Sequence, residues 1–258
     1  MKKILLSAAG FDPSSGAGVL LDLNVFGQLG FQGMAVLTSI TAQNTQLVKR
    51  MHGLSPRLVW EQYKTIKEDV SFSGIKVGMV GSKENISVIR KVLAENQEIP
   101  KVIDPVFRAS SGAWLLERKS IPSYMAALHA KAALVTPNLE EAELITRAKV
   151  RNIEDMKEAA KQIYQLARIP CLIKGGHLEK RAVNVLYEGS KFYFYENQKL
   201  KKIVHGTGCF LSSAVLCFLA KGFSLERACL RATELTHQAI KKSIPIGHGQ
   251  HLFSFPLL

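Results

Sequence analysis

The stretch Val204-His205-Gly206-Thr207-Gly208-Cys209 runs directly into Phe210-Leu211-Ser212-Ser213-Ala214-Val215-Leu216. Two glycines in a polar turn give way at once to an apolar run with helical spacing. A helix that starts here points the free N–H groups of its first turn into the loop, where they carry partial positive charge and bind anions. Gly206 and Gly208 permit positive φ and close backbone approach, so consecutive N–H groups can form a nest. Cys209 stands at the helix start, where a thiol ionises most readily. The chemistry on offer is an anion hole with a thiolate base beside it. An ordinary glycine turn ahead of a core helix has the same spelling.

Other polar residues fall where a ligand would find them. Asp104 closes the short apolar run Val102-Ile103 and is followed by a loop rather than a helix, a frequent place for a carboxylate linked to metal or phosphate. Lys174 ends the run Cys171-Leu172-Ile173, suited to a phosphate. Gln43, in Thr41-Ala42-Gln43-Asn44-Thr45, both donates and accepts, as the edge of a heterocycle requires; a loop amide facing water is the alternative. Asp22 lies one turn into an apolar helix and reads either as a ligand contact or as an exposed helix position. Asn138 and Glu141 have the spacing of a capping box, which gives them a structural role first.

The elements that must position these residues alternate strand with helix. Ile4 to Ala9 is a buried strand, followed by the glycine-rich loop 10–18 and a helix that ends near Gly30. Strands follow at Met34 to Ile40, Gly74 to Val80, Val102 to Asp104, Leu134 to Thr136 and Cys171 to Lys174. Helices are expected from Ser55-Pro56 to Val70, from Ser82 to Glu95, after Asn138, over Glu154 to Ala167, after Cys209, and over Leu225 to Lys241. Val183 to Leu186 and Phe192 to Tyr195 form a β-hairpin. Short connections and alternation imply a mostly parallel sheet covered on both faces. Neither Gly-x-Gly-x-x-Gly nor the P-loop spelling occurs, which disfavours Rossmann and P-loop chemistry.

The length of 258 residues suits one large α/β domain. Stretches of about 20 apolar residues are absent, so no membrane span is expected. Cys171, Cys209, Cys217 and Cys229 lack zinc-ligand spacing and point to a reduced, cytoplasmic compartment. The net charge of +13 invites nucleic acid, but the basic residues are spread over several helices. The cluster Lys199, Lys201 and Lys202 reads as a solvated edge that attracts small polyanions, so no nucleic-acid partner is expected.

Seven stretches converge in order: Asp12-Pro13-Ser14-Ser15-Gly16-Ala17-Gly18, Ala42-Gln43-Asn44-Thr45, Lys76-Val77-Gly78-Met79, Asp104-Pro105-Val106, Thr136-Pro137-Asn138-Leu139-Glu140-Glu141-Ala142, Lys174-Gly175-Gly176-His177 and His205-Gly206-Thr207-Gly208-Cys209. Together they resemble the hydroxymethylpyrimidine/phosphomethylpyrimidine kinase family of thiamine biosynthesis, within the ribokinase-like superfamily. The resemblance spans nearly the whole chain. It implies a three-layer α/β/α sandwich over residues 1–258, with a mostly parallel central sheet and a small β-hairpin. It also implies a homodimer and ATP-dependent phosphorylation of 4-amino-5-hydroxymethyl-2-methylpyrimidine, then of its monophosphate. Gly10, Asp22, Gln43 and Met79 would line the pyrimidine site, with a backbone contact from Val106. Asp104 and Glu141, with Asn138, would hold Mg²⁺ and position ATP. Lys174 would neutralise phosphate charge, and Gly206, Thr207, Gly208 and Cys209 would form the anion hole, with Cys209 as base and Thr207 also at the nucleotide.

The chain departs from the family pattern at Ser15, Ser110, Val204 and Thr233. Arg108 offers a charge near Ser110 from a different position. Pyridoxal kinase of the same family competes as a reading, since its substrate is also a flat ring with a hydroxymethyl group. A non-catalytic pyrimidine-binding protein competes from another class.

Overall fold

The structure is a computed structural model and describes residues 2–109, 112–176 and 181–256. Its strands are β1 (Ile4–Phe11), β2 (Gln32–Gln43), β3 (Val48–Gly53), β4 (Gly74–Val77), β5 (Lys101–Ile103), β6 (Leu134–Val135), β7 (Cys171–Gly175), β8 (Ala182–Tyr187) and β9 (Phe192–Asn197). They form one sheet in the order β3-β2-β1-β4-β5-β6-β7-β8-β9. From β2 to β7 every pairing is parallel, while β3 closes one edge and β8 and β9 the other, all antiparallel.

The helices are α1 (Gly18–Gln28), α2 (Pro56–Asp69), α3 (Asn85–Ala94), α4 (Ile121–Leu128), α5 (Leu139–Thr146), α6 (Ile153–Ala167), α7 (Thr207–Ala220) and α8 (Leu225–Lys242). Successive strand residues face opposite layers because side chains alternate along a strand. Leu5, Val102, Leu134 and Leu172 pack with α1, α7 and α8. Their neighbours Leu6, Ile103, Val135 and Ile173 pack with α2 to α6. This double burial is why the central strands read as unbroken apolar runs, and it yields the expected three-layer sandwich.

Four local expectations change. The strand from Met34 continues to Gln43 and turns back through β3, whose spelling Val48-Lys49-Arg50-Met51-His52 is the polar dress of an edge strand and hides its pairing. The strand from Gly74 stops at Val77, and beyond it Gly81 takes a φ of 76°. The helix expected from Ser82 begins at Asn85, whose buried amide donates to the carbonyls of Thr38, Leu54 and Val80. Helix α4, with Pro122 in its first turn, fills a stretch for which no element was expected.

Candidate active site

A cavity of about 780 Å³ runs along the carboxyl edge of the sheet, from Gln43 at the end of β2 to Asn184 on β8 and Asn197 at the end of β9. Gly10, Met79, Val106, Asp104, Asn138, Glu141, Lys174 and Gly206 to Cys209 all line it. Their convergence follows from the parallel order of β1, β4, β5, β6 and β7. Each of these strands delivers its next residue or loop to the same edge.

At the centre sits Lys174. Its Nζ lies 2.6 Å from Asp104 Oδ1 and 3.8 Å from Glu141 Oε2. Backbone pairing fixes this meeting: Lys174 N–H donates to Pro137 O at 2.8 Å, beside the start of α5. Burial alone would lower the Lys174 ammonium, but Asp104 and Glu141 overcome it and hold it protonated beyond its ordinary range. For Asp104, burial works to raise the carboxyl, yet Lys174 and Lys76 win and the net direction is down. For Glu141 burial prevails: its carboxyl is pushed up to about 7, with Lys174 opposing and Asp104 assisting. The capping box read from the sequence is present in both directions, with Glu141 N–H to Asn138 Oδ1 at 2.8 Å and Asn138 N–H to Glu141 Oε2 at 2.7 Å.

The start of α7 faces this cluster. The first intrahelical bond is Phe210 N–H to Gly206 O at 2.9 Å. The N–H groups of Thr207, Gly208 and Cys209 therefore precede any helical partner. Gly206 takes φ 77°, and a Cβ there would collide with the Gly16 carbonyl. At Gly208 a Cβ would come within 2.8 Å of Lys174 Nζ, so glycine is what lets the ammonium approach the helix end. Cys209 corrects an expectation. Although it sits at a helix start and opens partly to the cavity, burial pushes its thiol up to about 12, with Lys76 opposing and Asp104 and Asp22 assisting. The resting group is a thiol that bonds to the Asp104 carboxylate, not a thiolate.

Gly10, Met79 and Gln43 border the end of the cavity nearest β1 and β2, and a side chain at Gly10 would strike the Met79 methyl. Asp22 lies elsewhere. It is fully buried beneath this floor, where it accepts from Ser7 Oγ at 2.6 Å, Ser213 Oγ at 2.8 Å and Lys76 Nζ at 2.6 Å, and it does not line the cavity. Both readings of Asp22, ligand contact and exposed position, give way to an internal ion pair that fixes Lys76 under the site.

Several cavity residues carried no role in the sequence reading. Lys76 is fully buried yet lines the cavity wall, and only its place before Gly78-Met79 hinted at it. Asp12 and His205 belong to quoted motifs, but their 2.8 Å contact joins positions 193 residues apart. Asn184, Asn197, Thr233, Thr236 and His237 line the far end, where no local pattern marks them. Thr233 accepts from Asn184 Nδ2 at 3.2 Å. Of the departures, Ser15 holds φ 59°, a left-handed backbone that explains why glycine suits this place. Val204 is buried and bridges to His251. Arg108 reaches the cavity and pairs with Glu140. Ser110 and His177 lie outside the described residues.

A cationic side chain, free helical N–H groups and paired carboxylates at one point form apparatus for a transferring phosphoryl group. The description of phosphomethylpyrimidine kinases matches residues 12–254 of this chain. The chain belongs to the phosphomethylpyrimidine kinase family. It is 38% identical over 254 residues to the hydroxymethylpyrimidine/phosphomethylpyrimidine kinase of Aquifex aeolicus, covering 98% of this chain and 100% of that one. The solved phosphomethylpyrimidine kinase of Clostridium difficile 630 superposes with a TM-score of 0.81 at 36% identity, over 93% of this chain and 100% of that chain. Pyridoxal kinase of Staphylococcus aureus in complex with AMP-PCP superposes with a TM-score of 0.90 at 29% identity, over 98% and 93%. The phosphomethylpyrimidine kinase family and its ribokinase-like fold thus agree with the sheet order and site position found here.

Proposed function

We propose that this chain is an ATP-dependent kinase, one domain over residues 1–258, that phosphorylates the hydroxymethyl group of 4-amino-5-hydroxymethyl-2-methylpyrimidine and then its monophosphate, giving the diphosphate for thiamine biosynthesis. One observation carries the reading. A recess bordered by an amide and a thioether, Gln43 and Met79, opens into the same cavity as the Lys174–Asp104 pair and the start of α7. In this reading Gln43, Gly10, Met79 and the Val106 backbone seat the ring. Asp22 contributes from below, through Lys76. The N–H groups of Thr207, Gly208 and Cys209 receive the γ-phosphoryl group as the hydroxymethyl oxygen attacks phosphorus and the bond to ADP breaks. Lys174 offsets the charge that develops. Cys209 would take the alcohol proton as its own S–H proton passes to the Asp104 carboxylate. The far end, with Asn184, Asn197 and Thr233, has room and polar groups for the nucleoside.

Mg²⁺ fits this donor set in one way. Among the described residues no three His, Cys, Asp or Glu side chains cluster as a metal cage, and Asp104 and Glu141 already share Lys174. Two carboxylates suit a hard cation that arrives on polyphosphate and keeps phosphate oxygens as ligands. Asp104 and Glu141 would hold it, with Asn138 beside them, and it would neutralise charge on the phosphates. The reading further places the enzyme in the cytoplasm as a homodimer. Ile203, Ile244 and Ile246, exposed around the short pairings of Val204, Ile244 and Leu252, offer an apolar surface for a second copy.

Pyridoxal kinase is the second reading, favoured by the TM-score of 0.90 to the Staphylococcus aureus enzyme. A binding protein without catalysis would have no use for Lys174 against a helix N-terminus. ATP consumption measured in parallel with hydroxymethylpyrimidine, its monophosphate and pyridoxal decides. Turnover of both pyrimidines ahead of pyridoxal is expected; pyridoxal alone selects the second reading, and no turnover with any of them leaves the binding protein.

A further inference from the structure

The Gln43 carboxamide is held at both ends before any ring arrives. Thr41 Oγ1 lies 3.0 Å from Gln43 Oε1 and His205 Nε2 lies 3.1 Å from Gln43 Nε2. Both neighbours have other obligations. The Thr41 hydroxyl carries one proton and lies 2.9 Å from the Phe11 carbonyl, which can only accept. His205 Nε2 lies 2.8 Å from Asp12 Oδ2, and a carboxylate can only accept. Asp12 stays ionised. Burial works to raise its carboxyl, but hydrogen bonds from His205 and Ser14 bring it below the ordinary range. Ser14 gives its N–H and its hydroxyl to Asp12 Oδ1, at 2.9 and 2.7 Å. The imidazole proton on this side therefore sits on Nε2.

Gln43 thus faces an acceptor at Thr41 and, at His205, an N–H that is shared with Asp12 and has no lone pair to receive an amide N–H. The two senses of a carboxamide have the same shape and differ only in which end donates, so neighbouring protons decide between them. Here both neighbours ask for the sense that exchanges these two atoms, N–H toward Thr41 and C=O toward His205. We infer that Asp12 and His205 are positioning residues that set the sense of the Gln43 carboxamide and, through it, which ring edge the site accepts. This rests on the proposed reading of Gln43 as the group that meets the ring. Once set, the amide keeps one N–H and one oxygen lone pair for the cavity. An aminopyrimidine edge offers the complement, a ring nitrogen that accepts beside an exocyclic N–H that donates. An edge with two acceptors or two donors meets only half of it.

Asp12→Asn reverses the logic without changing size. Its amide gives an N–H to His205, the imidazole proton moves to Nδ1, and the Nε2 lone pair that receives that N–H repels a Gln43 oxygen instead of sharing a proton with it. Calorimetric titration of wild type, D12N, Gln43→Ala and the double variant with 4-amino-5-hydroxymethyl-2-methylpyrimidine, and separately with AMP-PCP, forms a thermodynamic cycle. D12N is expected to weaken pyrimidine binding about tenfold, with AMP-PCP affinity held within about twofold. In the Q43A background D12N should change pyrimidine affinity by less than about twofold, because its effect travels through Gln43. Effects that multiply overturn the inference. Should D12N not fold, His205→Phe takes its place in the same cycle. ¹⁵N spectra of the wild-type imidazoles supply a second readout: protonated Nε2 at His205 is expected, and a bare Nε2 overturns the inference by itself. Wild type that binds no pyrimidine removes the functional reading and the ring selectivity with it, whereas wild type that binds with multiplying effects removes only the positioning role.

Discussion

Cys209 shows how burial and position compete at one residue. A helix start favours thiolate, but the low dielectric around the sulfur prevails and pushes the thiol up to about 12. Its alkylation by iodoacetamide, followed by mass spectrometry, should therefore be slow at pH 8 and climb steadily toward pH 10; a plateau near pH 7 would reveal an ionised thiol. In the proposed reaction the alcohol must lose a proton, while the monophosphate is already anionic. Cys209→Ala is expected to slow the first phosphorylation by about 10²–10⁴-fold and the second far less, read as single-turnover rates. Equal factors would leave Cys209 only a part in shaping the anion hole. Glu141 carries the opposite consequence for stability. Its folded carboxyl is raised to about 7, so between its ordinary value and there the native state holds a proton that the unfolded chain has released. Stability without nucleotide should fall as pH rises through that window, by on the order of 1–3 kcal/mol. Glu141→Gln keeps a side chain suited to the capping box and should flatten that slope and stabilise the protein at pH 8. Urea midpoints of both proteins across pH 5–8 would show it, and parallel slopes would contradict it.

At the scale of elements, the start of α7 and the end of β7 work as a pair. Helix α7 supplies N–H groups without carbonyl partners, and Lys174 reaches them only because position 208 has no side chain. Gly208→Ala should leave the fold intact, since the residue is partly open to the cavity, but it should displace Lys174 and obstruct the N–H cradle. A loss of about 10²–10³ in kcat is expected, the size found when one oxyanion donor is removed. The measurement is steady-state turnover with circular dichroism as the fold control; unchanged kcat would place the phosphoryl group elsewhere. Helix α5 is fixed by its own capping box, which holds the Glu141 carboxylate 3.8 Å from Lys174. The same two residues thus start a helix and face the site.

Across the whole molecule, the cavity spans both halves of the sheet, from β2 to β9. A nucleotide bound there stabilises only the folded state. At one hundred times its Kd an ATP analogue should add about 2.7 kcal/mol, which for a chain of this size is roughly 5–10 °C in Tm. Thermal scans with AMP-PCP and with duplex DNA at equal phosphate concentration separate a built site from general attraction to a net charge of +13. A shift with AMP-PCP alone is expected; equal shifts would mean that charge, not the cavity, does the binding. Among the described residues no helix is long and apolar enough to cross a membrane.

What the sequence determined by itself follows from local rules. Apolar runs buried on both faces name the parallel strands, caps and prolines name most helix starts, and glycines beside Thr207 and Cys209 mark the start of α7. Asp104 and Lys174 were legible because residues just past parallel strands share one edge. Tertiary structure alone decided the rest. Strand β3 reads as polar because an edge strand faces water. Asp22 has the spelling of an exposed helix position, and only the approach of Lys76, Ser7 and Ser213 makes it an internal counter-ion. The protonation of Cys209 is set by burial, which helix position does not reveal. The link from Asp12 through His205 to Gln43 joins three distant segments, and no spacing rule reaches across them; it exists because the turn after β1, the end of β2 and the start of α7 meet at the carboxyl edge of one sheet.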